Sequence, residues 1–214
     1  MICWSCEKQA GGGETCAGCW AIQPPDPAAD HFTVLGVPRR HDLDMADVES
    51  RYKDLLRKLH PDRYTRADAR ARRAALGRAV QLTDAWRALR DPVRRAEYLV
   101  QLAGIDIGPE DGAARTGPPS AKARPPVPQA LLMEMMELRE ELATARAAGD
   151  ETTMARVQAG VSARVDAALA AVTTGLAGGG SEGLGAVVRE LVALRYYRRL
   201  LEDIEAHQAS REGE

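Results

Sequence analysis

Residues 28–104 carry apolar positions at helical spacing, interrupted by proline and glycine. The pattern predicts a short helix over residues 30–35. A second helix follows Asp44, a residue type that caps helix N-termini, and ends where Pro61 interrupts the pattern. The apolar side of the second helix is predicted to consist of Val48, Tyr52, Leu55, Leu56 and Leu59.

Two further helices are predicted in the same segment. The third ends before Asp91, and the fourth covers residues 93–103, with Pro92 in its first turn and Gly104 at its end. The apolar face of the third helix is predicted to consist of Leu76, Val80, Thr83, Trp86 and Leu89.

The second half of the chain predicts a helical bundle. Residues 105–128 contain six prolines and three glycines without periodicity, which indicates a linker. Three helical patterns follow it, over 129–148, 151–176 and 182–208, and glycine-containing turns separate them. Because short turns make neighbouring helices antiparallel, we expect an antiparallel three-helix bundle.

Composition supports an all-α fold. Aromatic residues make up 4% of the 214 residues, with a single Phe, so the core must consist mainly of Leu, Val, Met and Ala. The expected architecture is a small cysteine-rich module over 1–27, four short helices within 28–104, the linker over 105–128, and the bundle over 129–208. No apolar run approaches the length of a membrane span, so we expect no membrane partner.

Charge distinguishes the two halves. The net charge of the chain is -2, which does not suggest a polyanionic partner. Residues 31–103 nevertheless carry 16 Lys and Arg against 10 Asp and Glu, whereas residues 129–214 carry 9 against 14. This difference indicates that the halves bind different partners.

All four cysteines form two CxxC pairs, which comprise Cys3, Cys6, Cys16 and Cys19. Two such knuckles can close a tetrahedral thiolate site, and four protein ligands indicate one structural zinc ion, with iron as the alternative. Two disulfides or a redox pair would use the same residues, but no export signal accompanies them. Trp4 and Trp20 adjoin opposite knuckles and are expected to pack over the site.

The turn His60-Pro61-Asp62 follows the second predicted helix. A histidine at a helix end is commonly only a capping residue. Here, however, the turn lies at the end of a cationic surface formed by Arg51, Lys53, Arg57, Lys58 and Arg63. Such charges are most often a solvated helix face.

Several ordered segments together resemble a J domain. They are the segments at 30–37 (DHFTVLGV), 52–55 (YKDL), 60–63 (HPDR) and 85–92 (AWRALRDP). Segments at 95–99, 132–134 and 137–141 narrow the resemblance to the HscB branch, the co-chaperones of iron-sulfur cluster assembly. The cysteine knuckles resemble the N-terminal metal site of some members, notably the mitochondrial type.

This resemblance implies a contact with a DnaK/HscA-type chaperone ATPase. His60, Pro61 and Asp62 would trigger ATP hydrolysis by that partner, and Arg51, Lys53, Arg57, Lys58 and Arg63 would be docking charges. Many generic J domains carry a basic residue at the position of Asp54. An acidic residue there fits the HscB branch.

The helix predicted over 129–148 carries apolar residues outside its bundle-facing side. Leu131, Met135, Leu138 and Leu142 define that side, whereas Leu132, Met133 and Met136 lie at least about 100° away from it. From the residues alone, these three could bind a partner or contact both neighbouring helices. In the helix over 182–208, Val187, Leu191, Leu194, Leu201 and Ile204 are expected to face the bundle, with Tyr196, Val192 and Leu200 outside it.

The resemblance implies that the outward residues bind the IscU-type cluster scaffold. The implied set is Leu132, Met133, Met136, Glu137, Arg139, Glu140 and Tyr196. Tyr196 replaces the Phe of some relatives, and its hydroxyl requires a hydrated rim or a hydrogen-bond partner.

Two other functions use the same features. A zinc-ribbon regulator that binds nucleic acid is the first, but the near-neutral charge and the lack of an aromatic-interleaved basic strand argue against it. An enzyme using His60 and Asp62 as an acid-base pair is the second, and it lacks a third group in sequence reach. Heavy Ala, Arg and Gly usage and the lack of a presequence favour the bacterial cytoplasm over the mitochondrial matrix.

Overall fold

The structure, a computed structural model, describes residues 1–108, 126–177 and 181–212. Within these residues every regular element is helical, apart from two isolated β-bridges in the N-terminal module. The helices are α1 (His31–Leu35), α2 (Met45–Leu59), a 3-10 turn (Pro61–Tyr64), α3 (Ala69–Arg90), α4 (Pro92–Leu102), α5 (Gln129–Ala148), α6 (Glu151–Ala177) and α7 (Ser181–Glu212).

The chain divides into two compact units, Met1–Arg95 and Ala96–Glu214, and the boundary falls inside α4. Most of the predicted linker, residues 109–125, and the glycine run at 178–180 lie outside the described residues. None of the helices in the described part of the chain combines the length and the apolar character needed to cross a bilayer.

Local capping signals set the helix ends of the first unit. The Asp30 carboxylate accepts a 2.9 Å hydrogen bond from the Thr33 backbone N–H at the start of α1, and Gly36 ends that helix at φ +65°. Asp44 caps α2 in the same way, through the Ala46 N–H. The predicted limits of α2, between Asp44 and Pro61, are therefore confirmed.

The core of the first unit lies among α1, α2 and α3. Phe32, Val48, Leu59, Leu82 and Leu89 are all buried. Tyr52 of α2 stacks on Trp86 of α3, with ring centroids 5.0 Å apart and planes 9° apart. The offset aromatic pair adds to the stability given by area burial.

The predicted apolar face of α3 is wrong at two positions. Leu76 and Val80 are 57% and 54% exposed. The side that faces the core instead consists of Ala71, Ala74, Ala75, Leu82, Ala85 and Leu89. Four of these six are alanines, whose small side chains give only a weak hydrophobic signal in the sequence.

The helices of the second unit form the expected bundle. Gly149 ends α5 at φ +66°, and Asp150 caps α6 by accepting from the Thr153 N–H at 3.0 Å. Contacts between Gly175 of α6 and Val187 of α7 place the end of one helix beside the start of the next. Neighbouring helices are therefore antiparallel.

The bundle core agrees with most of the predicted positions of α5 and differs more for α7. Leu131, Met135 and Leu142 are buried in α5, whereas Leu138 and, in α7, Leu201 are only half-buried. In α7, Val192 and Leu200 are buried as well, at 6% and 1% exposure, although they were expected outside the core. Besides packing on α6, α7 contacts Glu134 of α5 through Tyr197 and Glu97 of α4 through Arg195. Its buried face is therefore broader than a two-helix seam.

Candidate metal centre and co-chaperone surfaces

The four cysteines converge on one point. Their sulfur atoms all lie within 4.8 Å of one another. Cys3 Sγ is 3.6 Å from Cys19 Sγ, and Cys6 Sγ is 3.7 Å from Cys16 Sγ. A tetrahedral zinc site with Zn–S bonds of about 2.3 Å has sulfur–sulfur edges of about 3.8 Å, whereas a disulfide requires about 2.05 Å. The donor set therefore fits a metal ion and does not fit disulfides.

The two knuckles have the same backbone hydrogen-bond pattern. In the first, the Glu7 N–H donates to the Cys3 carbonyl at 3.0 Å, and in the second, the Trp20 N–H donates to the Cys16 carbonyl at 2.9 Å. Glu7 and Trp20 both have positive φ, at 59° and 62°. A small repeat offset by 13 positions, which sequence reasoning missed, thus places two cysteines from each knuckle on one site.

Backbone N–H groups donate hydrogen bonds to two of the sulfur atoms. The backbone N–H groups of Ser5 and Gly18 donate to Cys3 Sγ and Cys16 Sγ, each at 3.4 Å. Burial raises the pKa of the Cys3 thiol, but hydrogen bonds from the backbone of Cys6 and Ser5 outweigh it and lower the pKa to about 6. Such bonds favour the thiolate, which is the form that binds metal.

The pKa of the Cys6 thiol is shifted in the opposite direction from that of Cys3. The Lys8 backbone N–H lowers the pKa of the Cys6 thiol, but the neighbouring sulfur of Cys19, burial and the other thiols raise it to about 11. Thiolates at these separations repel one another, and a divalent ion offsets that repulsion.

The two tryptophans beside the knuckles behave differently. Trp4 Nε1 donates a 2.6 Å hydrogen bond to the Ile22 carbonyl, which ties the first knuckle to the segment after the second. Trp20 is 78% exposed, so the expectation that both rings pack over the site is wrong for Trp20.

The turn His60-Pro61-Asp62 has a fixed backbone and an exposed carboxylate. Pro61 occupies the first position of the 3-10 turn, and His60 Nδ1 accepts a 3.3 Å hydrogen bond from the Asp62 N–H. The Arg63 N–H donates to the His60 carbonyl at 3.0 Å. The Asp62 side chain is 85% exposed, which leaves its oxygens accessible to a partner.

Three of the five predicted docking cations form ion pairs along α2. Arg51 Nε lies 2.8 Å from Asp47, Lys53 Nζ lies 2.7 Å from Glu49, and Arg57 pairs with Asp54. Lys58 and Arg63 have no carboxylate partner in the described part of the chain. The unneutralised positive charge is therefore concentrated beside the turn rather than spread along the helix.

The outward residues of α5 form an exposed apolar patch. Leu132, Met133 and Met136, which we call the α5 patch, are 41%, 56% and 71% exposed. The neighbouring Glu137, Arg139 and Glu140 are also exposed, and Tyr196 of α7 is half-buried. The alternative that these three residues fill the space between bundle helices is therefore wrong. Exposed Met-rich surfaces are common at adaptable binding sites.

An acidic groove lies along the same helix. It has a volume of about 510 Å³ and is lined by Glu137, Glu140 and Glu141 of α5 and by Asp150 and Thr153 at the start of α6. Glu141 also pairs with Arg156. The charged residues next to the α5 patch are thus the exposed Glu137 and Glu140, with Arg139 between them in sequence.

A polar contact behind the α5 patch was not apparent from the sequence. Glu134 of α5 accepts from Tyr197 Oη of α7 at 2.7 Å and from Arg164 Nε of α6 at 2.6 Å. Burial and the hydrogen bond to Glu134 raise the pKa of Tyr197 to about 12. This single carboxylate connects all three bundle helices beside Met133.

Two family models match the chain. Residues 30–98 match the DnaJ domain, and residues 127–205 match the HSCB C-terminal oligomerisation domain. The chain is thus a J-domain protein in which a second, helical domain follows the first.

Known proteins with both parts agree with these matches. A co-chaperone protein HscB homolog of Ralstonia nicotianae is 36% identical over 120 residues, covering 56% of this chain and 61% of that protein. An iron-sulfur cluster co-chaperone protein HscB homolog of Arabidopsis thaliana is 31% identical over 159 residues, covering 74% of this chain and 56% of that protein. The chain thus spans about three fifths of the length of these curated relatives.

Solved structures cover nearly the whole fold. The crystal structure of human co-chaperone protein HscB aligns with a TM-score of 0.81 at 25% identity, covering 97% of this chain and 98% of that one. The chaperone HscB from Vibrio cholerae aligns with a TM-score of 0.70 at 31% identity, covering 85% and 99%. The class defined by the fold is that of J-domain co-chaperones. Within that class, the chain belongs to the HscB family.

Proposed function

We propose that this chain stimulates ATP hydrolysis by a DnaK/HscA-type chaperone through His60, Pro61 and Asp62. The observation that carries the proposal is the Asp62 carboxylate, 85% exposed on a turn whose backbone is held by hydrogen bonds. A carboxylate in that setting can accept a charge-assisted pair of hydrogen bonds from a partner arginine. Lys58 and Arg63 beside it would steer the encounter with an acidic surface.

The second half of the proposal concerns cargo. The α5 patch, with Glu137, Arg139, Glu140 and Tyr196, would bind an IscU-type iron-sulfur scaffold. Exposed methionine and leucine supply apolar contact area, and the acidic residues around them select a partner with cationic side chains at its rim. The name of the Arabidopsis relative, an iron-sulfur cluster co-chaperone, supports this role.

The two activities gain from being on one chain. A scaffold held by one unit and an ATPase engaged by the other meet at the effective concentration set by their tether. In this proposal the chain is an adaptor and turns over no substrate itself. We propose the bacterial cytoplasm as its location, on the basis of the Ala, Arg and Gly usage.

We propose zinc as the metal of the four-cysteine centre, with one ion per chain. Four thiolates leave no open coordination position, so the ion would be structural. Iron is the alternative, because the same donor set binds it. Elemental analysis of protein isolated under reducing conditions would identify the metal.

Single-turnover ATP hydrolysis tests the function. A DnaK/HscA-type chaperone is loaded with ATP and mixed with the purified chain, with and without an IscU-type scaffold. We expect faster phosphate release with the chain alone and a further increase when scaffold is present. An unchanged rate in both mixtures would contradict the proposal.

A further inference from the structure

The cysteine module, residues 1–27, is attached to α3 by hydrogen bonds from two side chains. Arg78 Nε donates to the Gln23 carbonyl at 3.0 Å, and Arg78 Nη2 donates to the Gly13 carbonyl at 3.3 Å. One turn further, Gln81 Nε2 donates to the Asp26 carbonyl at 2.7 Å. The helix thus satisfies three backbone acceptors of a segment that has little secondary structure of its own.

Close packing accompanies these bonds. A Cβ atom at Gly77 would lie 3.1 Å from the ring of Pro25, so the absence of a side chain there lets the module approach the helix. Gly77, Arg78 and Gln81 lie on the side of α3 that faces the module, whereas Leu82 and Ala85 face the helical core. The middle of α3 is therefore covered by the module as well as by α1 and α2.

Gln23 joins this contact to the metal centre. Its side chain is 1% exposed, and its Nε2 donates to Cys3 Sγ at 3.3 Å and to the Ala21 carbonyl at 2.8 Å. Its carbonyl is the acceptor for Arg78. One buried residue thus contacts a ligand sulfur with its side chain and α3 with its backbone.

Besides backbone hydrogen bonds, the buried Ile22 side chain and the Trp4 bond to the Ile22 carbonyl, the module has only one small apolar cluster. That cluster consists of Cys3, Ala10 and Cys16, with Cys6 and Ala21 packed against them. Three of these five residues are metal ligands. A segment of this size with so small an apolar core depends on its metal for folding.

We propose that metal binding by the four cysteines stabilises the middle of α3, and that Gln23 and Arg78 carry this coupling. When the metal is lost, the module loses its fixed shape, and the carbonyls of Gly13, Gln23 and Asp26 leave Arg78 and Gln81. The module is then a metal-dependent brace on the J domain rather than an independent appendage. The inference rests on the metal centre and not on the proposed partners.

Coupling of this kind is reciprocal. If metal stabilises α3, then weakening the contact with α3 must weaken metal binding by the same factor. A residue that only filled space in α3 would change stability without changing metal affinity. The reciprocal effect therefore separates a positioning role of Arg78 from a merely structural one.

Hydrogen exchange on the full-length, reduced chain measures the coupling. Metal content is first determined by elemental analysis, and zinc is then removed with an excess of a chelator. We expect amide exchange in residues 74–82 to accelerate by about tenfold, as the loss of two or three hydrogen bonds predicts. Exchange in the α6 and α7 core should not change.

Two variants complete the test. In Arg78→Ala/Gln81→Ala we still expect one bound zinc, but with a metal affinity lowered by about the factor by which the chelator accelerates exchange in wild type. Exchange in residues 74–82 of this variant should no longer respond to the chelator. Should the double variant not fold, Arg78→Ala alone is measured instead, and it should show a smaller effect in the same direction. Arg73→Ala, an exposed arginine on the same helix, is the matched control and should behave as wild type.

The possible outcomes test the coupling to α3 separately from the metal centre itself. A wild-type protein that loses a bound metal without any change in α3 exchange would overturn the coupling and leave the metal centre intact. A reduced protein that binds no zinc or iron would overturn both. Equal metal affinity in wild type and in Arg78→Ala/Gln81→Ala would remove Gln23 and Arg78 from the coupling.

Discussion

The Tyr197 hydroxyl donates a 2.7 Å hydrogen bond to Glu134 Oε2, linking α7 to α5. Glu134 lies between Met133, which is exposed, and Met135, which is buried. The other carboxylate oxygen of Glu134 accepts from Arg164 of α6. The orientation of the α5 patch about its own helix is therefore fixed by a polar contact on the opposite side.

Replacing Tyr197 by Phe should destabilise the second unit. The change removes the hydroxyl and leaves Glu134, whose side chain is 31% exposed and still accepts from Arg164, with one donor fewer, at a cost of about 1 kcal/mol. Urea unfolding followed by circular dichroism measures the difference. Tyr196→Phe is the matched control, and its free energy of unfolding should remain within about 0.5 kcal/mol of wild type. Equal stability of the two variants would show that the Tyr197 bond contributes nothing.

Replacing Asp62 by Asn should abolish stimulation of the chaperone ATPase. The side chain is 85% exposed and its Oδ2 lies 3.5 Å from His60 Nδ1, so the thermal midpoint should change little and the main loss is the partner contact. Single-turnover phosphate release measures the effect. Asp54→Asn removes a carboxylate of the same kind from α2 and should retain most of the stimulation, because Asp54 pairs with Arg57 of its own helix. Full activity of the Asp62 variant would disprove the trigger role.

The α5 patch should account for much of the scaffold affinity. Replacing Leu132, Met133 and Met136 together by Ala removes exposed apolar contacts, and we expect affinity to fall by about 100-fold, as for a cluster of interface hot spots. Titration calorimetry measures the affinity. ATPase stimulation without scaffold should stay at the wild-type level. An unchanged dissociation constant would exclude the patch as the scaffold site.

Met135→Ala is the contrasting variant on the same helix. Met135 is 3% exposed, so its truncation should lower the stability of the bundle by about 2–5 kcal/mol. A triple patch variant that destabilised the bundle as strongly as Met135→Ala would instead indicate that the patch residues belong to the core.

Helix limits were predictable because the signals that set them are local. Asp44 accepts hydrogen bonds from the next turn, and Pro61 cannot continue a helix, so both ends of α2 depend on residues close in sequence. Helical spacing relative to Leu131 and Met135 likewise placed the α5 patch away from the bundle-facing side, but only the structure shows that the patch is exposed and does not contact a second neighbouring helix. Helix ends and helical spacing require no knowledge of what lies across the core.

Features that depend on neighbours across the fold were not predictable in this way. Four of the six buried residues of α3 are alanines, and only the packed structure shows that these small residues are inside. Val192 and Leu200 are buried because α7 contacts Glu97 and Glu134 as well as packing on α6. The bonds from Arg78 to Gly13 and Gln23 join positions at least 55 residues apart, and no periodic pattern marks them.

Acid should destabilise the first unit through two histidines. Burial lowers the pKa of His41, whose Nε2 lies 3.0 Å from the Pro92 carbonyl; Arg95 lowers the pKa further, and Pro92 and Asp42 partly oppose the shift. Burial also lowers the pKa of His31. Because the unfolded histidines titrate at about 6.5, the unfolded state binds more protons than the native state just below that pH.

The stabilising contribution of these histidines is therefore complete above about pH 6.5 and is lost as the pH falls toward their native pKa values. Guanidinium unfolding at pH 7.5 and pH 5.5 should show a lower midpoint at the lower pH. His41→Gln can still donate to Pro92 but cannot be protonated, so its midpoint should fall less between the two pH values. An equal fall in His41→Gln and wild type would exclude His41 as a source of the pH dependence.

Gly175 should resist substitution because α6 and α7 approach each other closely there. A Cβ atom at this position would lie 2.5 Å from Val187 Cγ2, and the β-branched valine has few rotamers to which it can move. Gly175→Ala should therefore destabilise the bundle by about 1–3 kcal/mol, even though alanine is the better helix former. Gly185→Ala is the matched control, because its Cβ would meet only the tip of Arg189 at 4.0 Å. The free energy of unfolding of that variant should rise by up to about 1 kcal/mol.

Adding Val187→Ala to Gly175→Ala should recover part of the loss, with a coupling of about 1 kcal/mol in a double-mutant cycle. If Gly175→Ala stabilises the protein as Gly185→Ala does, the two helices are further apart than described.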